Sequence, residues 1–286
     1  MAVKADRAER RPSKSRRPVP PSRKQSPRGR GRRPLRVVYD INGPRVRLGI
    51  LWFGLNIGAL VVGVGALAAL YGVTAGVAAL QTARAWRNDR NKRPHRLVAG
   101  CGALLLVLAA TFDTALVGLA LLGLAGAAVV VARLRRRRRS HPDEDAGFTL
   151  QASMFVGMAA ASVVLSYRFE VGAAVSLIVL VAAYETGDYL IGSGAGNPYE
   201  GPLGGLAAIL VVTFTIALLR VPPFEAGDAW VFGGLTAVLA PLGQLAGSLV
   251  LPSNRADAPA LRRLDSLLLL APLWAWSTGI LAARGG

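Results

Sequence analysis

The chain has 286 residues and a formal net charge of +18, from 34 Lys and Arg against 16 Asp and Glu, yet 52% of it is hydrophobic. One cysteine, Cys101, excludes a disulfide framework, and two histidines, His95 and His141, both beside or near proline in charged loops, exclude a Cys/His zinc cluster. Apolar stretches of about 17 to 22 residues recur after Leu48, each about long enough to cross a ~30 Å hydrocarbon core as a helix, and no soluble domain of ordinary size is left over.

Residues 1–47 hold sixteen of the Lys and Arg and little that can be buried. Such a segment cannot offset its ordering entropy, so a disordered basic tail is expected. Its positive run is too long for a cleavable signal, and no short apolar stretch with a small-residue cleavage site follows it. A run such as Arg28-Gly-Arg-Gly-Arg-Arg33 has the charge to bind nucleic acid, but its place beside a span makes anionic lipid the nearer partner, at about 1 kcal/mol per basic residue close to the surface. The same reading holds for Arg135 to Arg139, and no specific nucleic-acid partner is expected.

The fold class is all-α, a polytopic helical bundle integral to a membrane. The spans fall at about 48–64, 66–83, 97–112, 114–132, 148–166, 171–190, 203–219, 229–250 and 264–283, nine crossings in all. The first two form one Gly-rich run that a single long helix would also accommodate. Nine crossings with the tail in the cytoplasm put 31 of the 34 basic residues on the cytoplasmic face and leave Arg168, Arg220 and Arg284 outside, as the positive-inside bias requires. Eight crossings would place the Arg84–Arg96 loop opposite the tail. The organisation is therefore a tail (1–47), an N-terminal set of spans (48–166) and a C-terminal set (167–286). The high Ala, Arg and Gly content suggests a bacterium with a GC-rich genome, and so a bacterial plasma membrane.

The loops around Glu185 to Glu200 and Asp257 to Asp265 both emerge on the cytoplasmic face, where nucleotides and magnesium are. Glu185 and Asp188 stand at i and i+3 on the last turn of the sixth span. Two like charges there suit a divalent cation, which takes carboxylate oxygens and leaves positions for phosphates; a helix end satisfied by water or an arginine is the plainer reading. The stretch Gly192-Ser-Gly-Ala-Gly-Asn-Pro allows close backbone approach to a phosphate, while helix packing explains Gly204 and Gly205, and Gly54 with Gly58, as readily. In Arg262-Arg263-Leu264-Asp265-Ser266 the acid either caps the last helix or serves as a metal ligand beside phosphate-binding arginines, with Arg255 and Asp257 in the same loop.

In this order the fragments resemble the phosphatidate cytidylyltransferase family, whose members make CDP-diacylglycerol in membranes. The family's Asp-Thr-Gly-Ala-Tyr-x-x-Gly is similar to Glu185-Thr-Gly-Asp-Tyr-Leu-Ile-Gly192, its Glu-Gly-x-x-Gly-Gly to Glu200-Gly-Pro-Leu-Gly-Gly205, and its closing Asp-Arg-x-Asp-Ser to Arg262-Arg263-Leu264-Asp265-Ser266. The likeness covers about residues 170–283; the first half fits only in pattern. Glu185 replaces the first acid, Asp188 adds one, the lysine element between Gly192 and Glu200 is missing, Arg262 stands where an Asp is usual, and Ala240-Pro-Leu-Gly-Gln244 occupies the place of a Gly-Asp pair.

The resemblance implies a transferase that binds CTP with Mg²⁺ and phosphatidate. It implies catalytic roles for Asp265, Glu185, Asp188 and Glu200, and metal binding by Asp265 with Asp257 or Asp188. Phosphate binding falls to Arg255, Arg262, Arg263, Gly192 and Gly194, the arginines standing in for lost lysines. Two alternatives accompany it: a catalytically silent relative acting as a membrane scaffold or regulator, suggested by the lost lysines and first acid, and a transporter, suggested by the Gly-rich helices. Small-residue motifs are compatible with a homodimer as well as a monomer.

Overall fold

The computed structural model describes residues 44–90, 92–135, 141–193, 196–197, 199–253 and 256–285. The expectations for the tail, for Arg136 to Arg139, and for Gly194 and Arg255 fall outside these residues. The described chain is helical: α1 (Pro44–Val62), α2 (Val64–Arg90), α3 (Arg96–Ala110), α4 (Thr114–Leu134), α5 (Pro142–Phe169), α6 (Val171–Gly192), α7 (Glu200–Leu219), α8 (Ala226–Val250), a 3₁₀ turn (Leu261–Arg263) and α9 (Leu267–Gly285). Among the described residues six helices, α2 and α4 to α8, are long and apolar enough to cross a membrane; the apolar parts of α1, α3 and α9 are shorter. Several helices overrun the apolar windows of the sequence, because charged residues continue a helix into water at no cost to its backbone hydrogen bonds. Thus α2 runs on to Arg90, and α5 begins at Pro142 with Asp143, Glu144 and Asp145 in its first turn, where a proline and acids suit the unpaired amides and positive end of the dipole.

The Gly-rich run at 48–83 is two helices folded into a hairpin. Tyr71 Oη donates to Asn56 Oδ1 at 2.7 Å, and the Trp52 and Tyr71 rings lie 5.9 Å apart. In one straight helix Asn56 and Tyr71 would stand about 22 Å apart. The reversal occurs at Gly63, whose φ of 121° is open to glycine and strained for other residues.

Contacts between helix ends define the rest of the bundle. At one end, the backbone N–H of Arg93 donates to Asp145 Oδ1 (3.1 Å) and that of His95 to Thr149 Oγ1 (2.9 Å), while Trp86 Nε1 donates to the carbonyl of Val250 (2.9 Å). At the other end, Tyr167 Oη reaches the carbonyl of Leu60 (3.4 Å), Gly172 abuts Pro222 and Gly279 abuts Phe169. Successive helices therefore alternate in direction. The most enclosed is α5, which touches α2, α3, α4, α6 and α9. Its run Ala159-Ala160-Ala161 is fully buried, as small residues let helices approach closely without a hydrophobic drive in lipid. By contrast α4 turns Leu119, Leu122 and Leu134 outward, a surface suited to lipid.

Candidate functional site

Glycines set the frame of the site. A Cβ on Gly204 would stand 2.7 Å from the carbonyl oxygen of Gly187, and one on Gly205 would stand 2.5 Å from the Tyr184 ring. The glycines of Thr186-Gly187-Asp188 and of Gly204-Gly205 thus bring α6 and α7 together at backbone distance. On α8, Gly243 and Gly247 do the same for the loop before α9: a side chain at Gly243 would collide with the backbone oxygen of Asp265, and a Cβ at Gly247 would lie 2.8 Å from Asp265 Cβ.

Within this frame Ser266 fastens two carboxylates. Its hydroxyl donates to Glu185 Oε1 at 3.0 Å and its backbone N–H donates to Asp265 Oδ1 at 2.9 Å. Asp265 is buried and Glu185 half-buried. Arg262 Nη1 lies 3.5 Å from the second Asp265 oxygen and donates to Ser248 Oγ at 3.3 Å, and Arg263 follows it at the end of the same 3₁₀ turn. Tyr184, buried, donates to Gln244 Oε1 at 3.4 Å, linking α6 to α8 beneath the pair. Two acids from segments far apart in sequence therefore share one serine, with Arg262 beside Asp265.

The sequence-derived residues divide accordingly. Glu185, Asp265 and Arg262 are brought together, and Arg263 is the next residue of the same turn. Asp188 is buried on the adjoining turn of α6, and Gly192 ends that helix. Glu200, at the start of α7, accepts from Asn197 Nδ2 at 3.0 Å, and Asp257 is exposed on the loop. Among the described residues no group of three or more His, Cys, Asp or Glu side chains converges to hold a metal ion. Sequence reading passed over Gly247 and Ser248 and noted Gly243 and Gln244 only as standing in the place of the family's Gly-Asp pair; the i, i+4 glycine spacing marks close packing but not what packs there. Of the two readings it gave Asp265, a cap or a metal ligand, the first takes a local form: the carboxylate accepts from the very next amide, that of Ser266.

A second polar cluster lies at the same end. Lys92 pairs with Glu144, Arg133 Nη2 with Asp143 at 3.2 Å, and Lys92 Nζ lies 5.5 Å from the centre of the Phe148 ring. His95 is not the plain surface histidine its loop suggested: it caps α3, with Nδ1 accepting from the backbone of Val98 at 3.1 Å. Burial, and then the charges of Arg135 and Arg87, hold its pKa below the usual histidine value. His141 is exposed.

Fold and site together define a helical membrane protein with a carboxylate pair at one end, one acid buried and one half-buried, and an arginine beside it. No family model and no curated protein sequence matches the chain.

Proposed function

We propose that the protein is a membrane-bound cytidylyltransferase that transfers CMP from CTP to phosphatidate, with the Glu185–Ser266–Asp265 bridge at its centre. One observation supports this reading above the others: of the three motif fragments that resemble the family, the first and the last meet through a 3.0 Å hydrogen bond from Ser266 to Glu185, with Arg262 3.5 Å from Asp265. The donor set is of hard oxygens only partly neutralised by arginine, which fits Mg²⁺ held by Glu185 and Asp265. When bound, the ion would offset charge on the triphosphate.

The remaining work belongs to side chains of this chain. Arg262 and Arg263 offer planar guanidinium donors to phosphate oxygens. The attacking phosphatidate oxygen is already anionic, so no residue has to remove a proton from it. A bond forms from that oxygen to the α-phosphorus as the bond from the α-phosphorus to the pyrophosphate oxygen breaks, giving CDP-diacylglycerol and pyrophosphate. Positioning two anions side by side is the main demand, and fixed cations meet it. Glu185 is half-buried and Asp265 buried, so Glu185 is the more exposed acid of the pair.

In this reading all nine helices cross a bacterial plasma membrane, the tail and the Arg84–Arg96, Arg133–Arg139 and Arg255–Arg263 segments lie in the cytoplasm, and the tail rests on anionic lipid. The test is CTP-dependent formation of CDP-diacylglycerol by the purified protein in phosphatidate-containing micelles, with and without Mg²⁺. Metal-dependent turnover is expected. Absence of turnover by folded protein, with a known cytidylyltransferase active in the same assay, overturns the reading.

The glycine contacts favour a second reading. Gly187, Gly204 and Gly205 are occupied by helix packing, which a silent relative acting as a scaffold would retain after losing catalysis. Saturable, Mg²⁺-dependent CTP binding would count against it.

A further inference from the structure

The C-terminal motifs do not hold themselves in place. At about 1.5 Å per residue the 27 residues of α2 extend about 40 Å, roughly 10 Å beyond a hydrocarbon core. The overhang and the turn before it grip the connection between α8 and α9. Trp86 Nε1 donates to the Val250 carbonyl (2.9 Å), Arg90 Nη2 to the Pro252 carbonyl (3.4 Å), Asp89 Oδ2 accepts from Ser253 Oγ (2.5 Å), and Gln81 Oε1 accepts from the backbone N–H of Ala260 (3.0 Å). Three of the four address backbone atoms, so the grip fixes the path of the loop whatever its side chains.

Gln81 holds the most consequential point. Ala260 immediately precedes the 3₁₀ turn Leu261–Arg263, and a ladder of short-range bonds runs on from it: Arg263 N–H to Ala260 O (3.2 Å), Leu264 N–H to Leu261 O (2.9 Å), Leu267 N–H to Leu264 O (3.0 Å) and Leu268 N–H to Asp265 O (3.2 Å). Leu261 and Leu264 are fully buried beneath it. The segment from Ala260 to Leu268 is therefore one stiff unit, pressed on Gly243 and Gly247 from one side and tied to Gln81 on the other. A shift at Ala260 turns Arg262, Arg263 and Asp265 together.

We infer that Gln81, in the half of the chain that carries none of the motifs, is a positioning residue for the arginine–carboxylate site, acting through the Ala260 amide. The inference rests on the transferase reading for its catalytic consequence, but the positioning itself has a readout that does not. The full-length protein in detergent is compared as wild type, Gln81→Leu, which keeps size and loses the acceptor, and Gln81→Glu, which keeps an acceptor. Hydrogen exchange of the backbone amides at 256–266 is measured alongside kcat and KM for phosphatidate.

The expected result is faster exchange confined to 256–266 in Gln81→Leu, with kcat down about tenfold to a hundredfold, as misplacement on the ångström scale costs, KM within about twofold, and both effects reversed in Gln81→Glu. Unchanged exchange at 256–266, or faster exchange spread over α6 and α9 as well, overturns the inference. Faster local exchange with unchanged kcat also overturns it. If the wild type shows no turnover, the transferase reading falls, and the exchange comparison alone decides whether Gln81 positions the loop. Should Gln81→Leu fail to fold, Gln81→Asn, the same amide one methylene short, replaces it.

Discussion

Two groups of acids stand at the same end of this bundle. Asp143, Glu144 and Asp145 open α5 in the open: each has a partner, respectively Arg133, Lys92 and the Arg93 amide, and the helix dipole favours all three. Glu185 and Asp265 sit deeper, fastened by the two donors of one serine and packed against helix glycines. Acid at a helix start in water needs no further explanation. Acid kept under cover with an arginine beside it is held at a cost in desolvation, which the proposed Mg²⁺ would offset. The comparison teaches that exposure and satisfaction separate a solvated end from a site.

Four changes sharpen or break that contrast. Asp265→Asn, nearly isosteric, should lower CTP-dependent turnover by about a hundredfold or more while the protein stays folded, since it removes a carboxylate that would hold Mg²⁺ beside the triphosphate; unchanged product formation would dissolve the distinction between the two groups. Gly243→Val should come next. Its side chain would collide with the Asp265 backbone, and overpacking of about 1–3 kcal/mol should appear as a lower melting temperature in detergent together with lost turnover. A Val that leaves both intact would mean the loop does not lie on α8.

His95 supplies the pH dependence of the exposed group. Its folded pKa is depressed, so its stabilisation is present above the ordinary histidine value near 6.5 and lost as pH falls through the lower folded value, when Nδ1 gains a proton and can no longer accept from Val98. Thermal melts of His95→Asn, which keeps a capping acceptor but does not titrate, should lack this acid-side loss of about 0.5–2 kcal/mol, the range of a helix cap. Smallest of all is Glu144→Gln. Its pairing with Lys92 is exposed, and such pairs contribute little, so melting and turnover should match wild type; a clear loss of turnover would extend the site to α5.

Much of the architecture was legible in the chain. The stretches 114–132, 148–166 and 171–190 read as helices and lie within α4, α5 and α6, because the free energy of moving a side chain out of water is a property of that side chain and adds up along a segment. Which carboxylates meet was not legible. On sequence Glu185 pairs with Asp188, three residues on; in the folded chain it bonds Ser266, 81 residues away, while Asp257 and Glu200, equally acidic, stay apart at the surface. Gln81 carried no signal, since one glutamine in an apolar run looks like any other.

What the sequence by itself determined is a helical chain for a membrane, a strongly basic balance, and the short stock of acids from which a site can be drawn. Tertiary structure alone decided that Gly63 reverses the chain, that glycines on α6, α7 and α8 set the spacing, and that α2 reaches across to hold the loop bearing Asp265. The reason is range: burial and charge preferences are written residue by residue, whereas a site needs donors and acceptors from distant segments to converge within about 3 Å, and only the packing of whole helices fixes that.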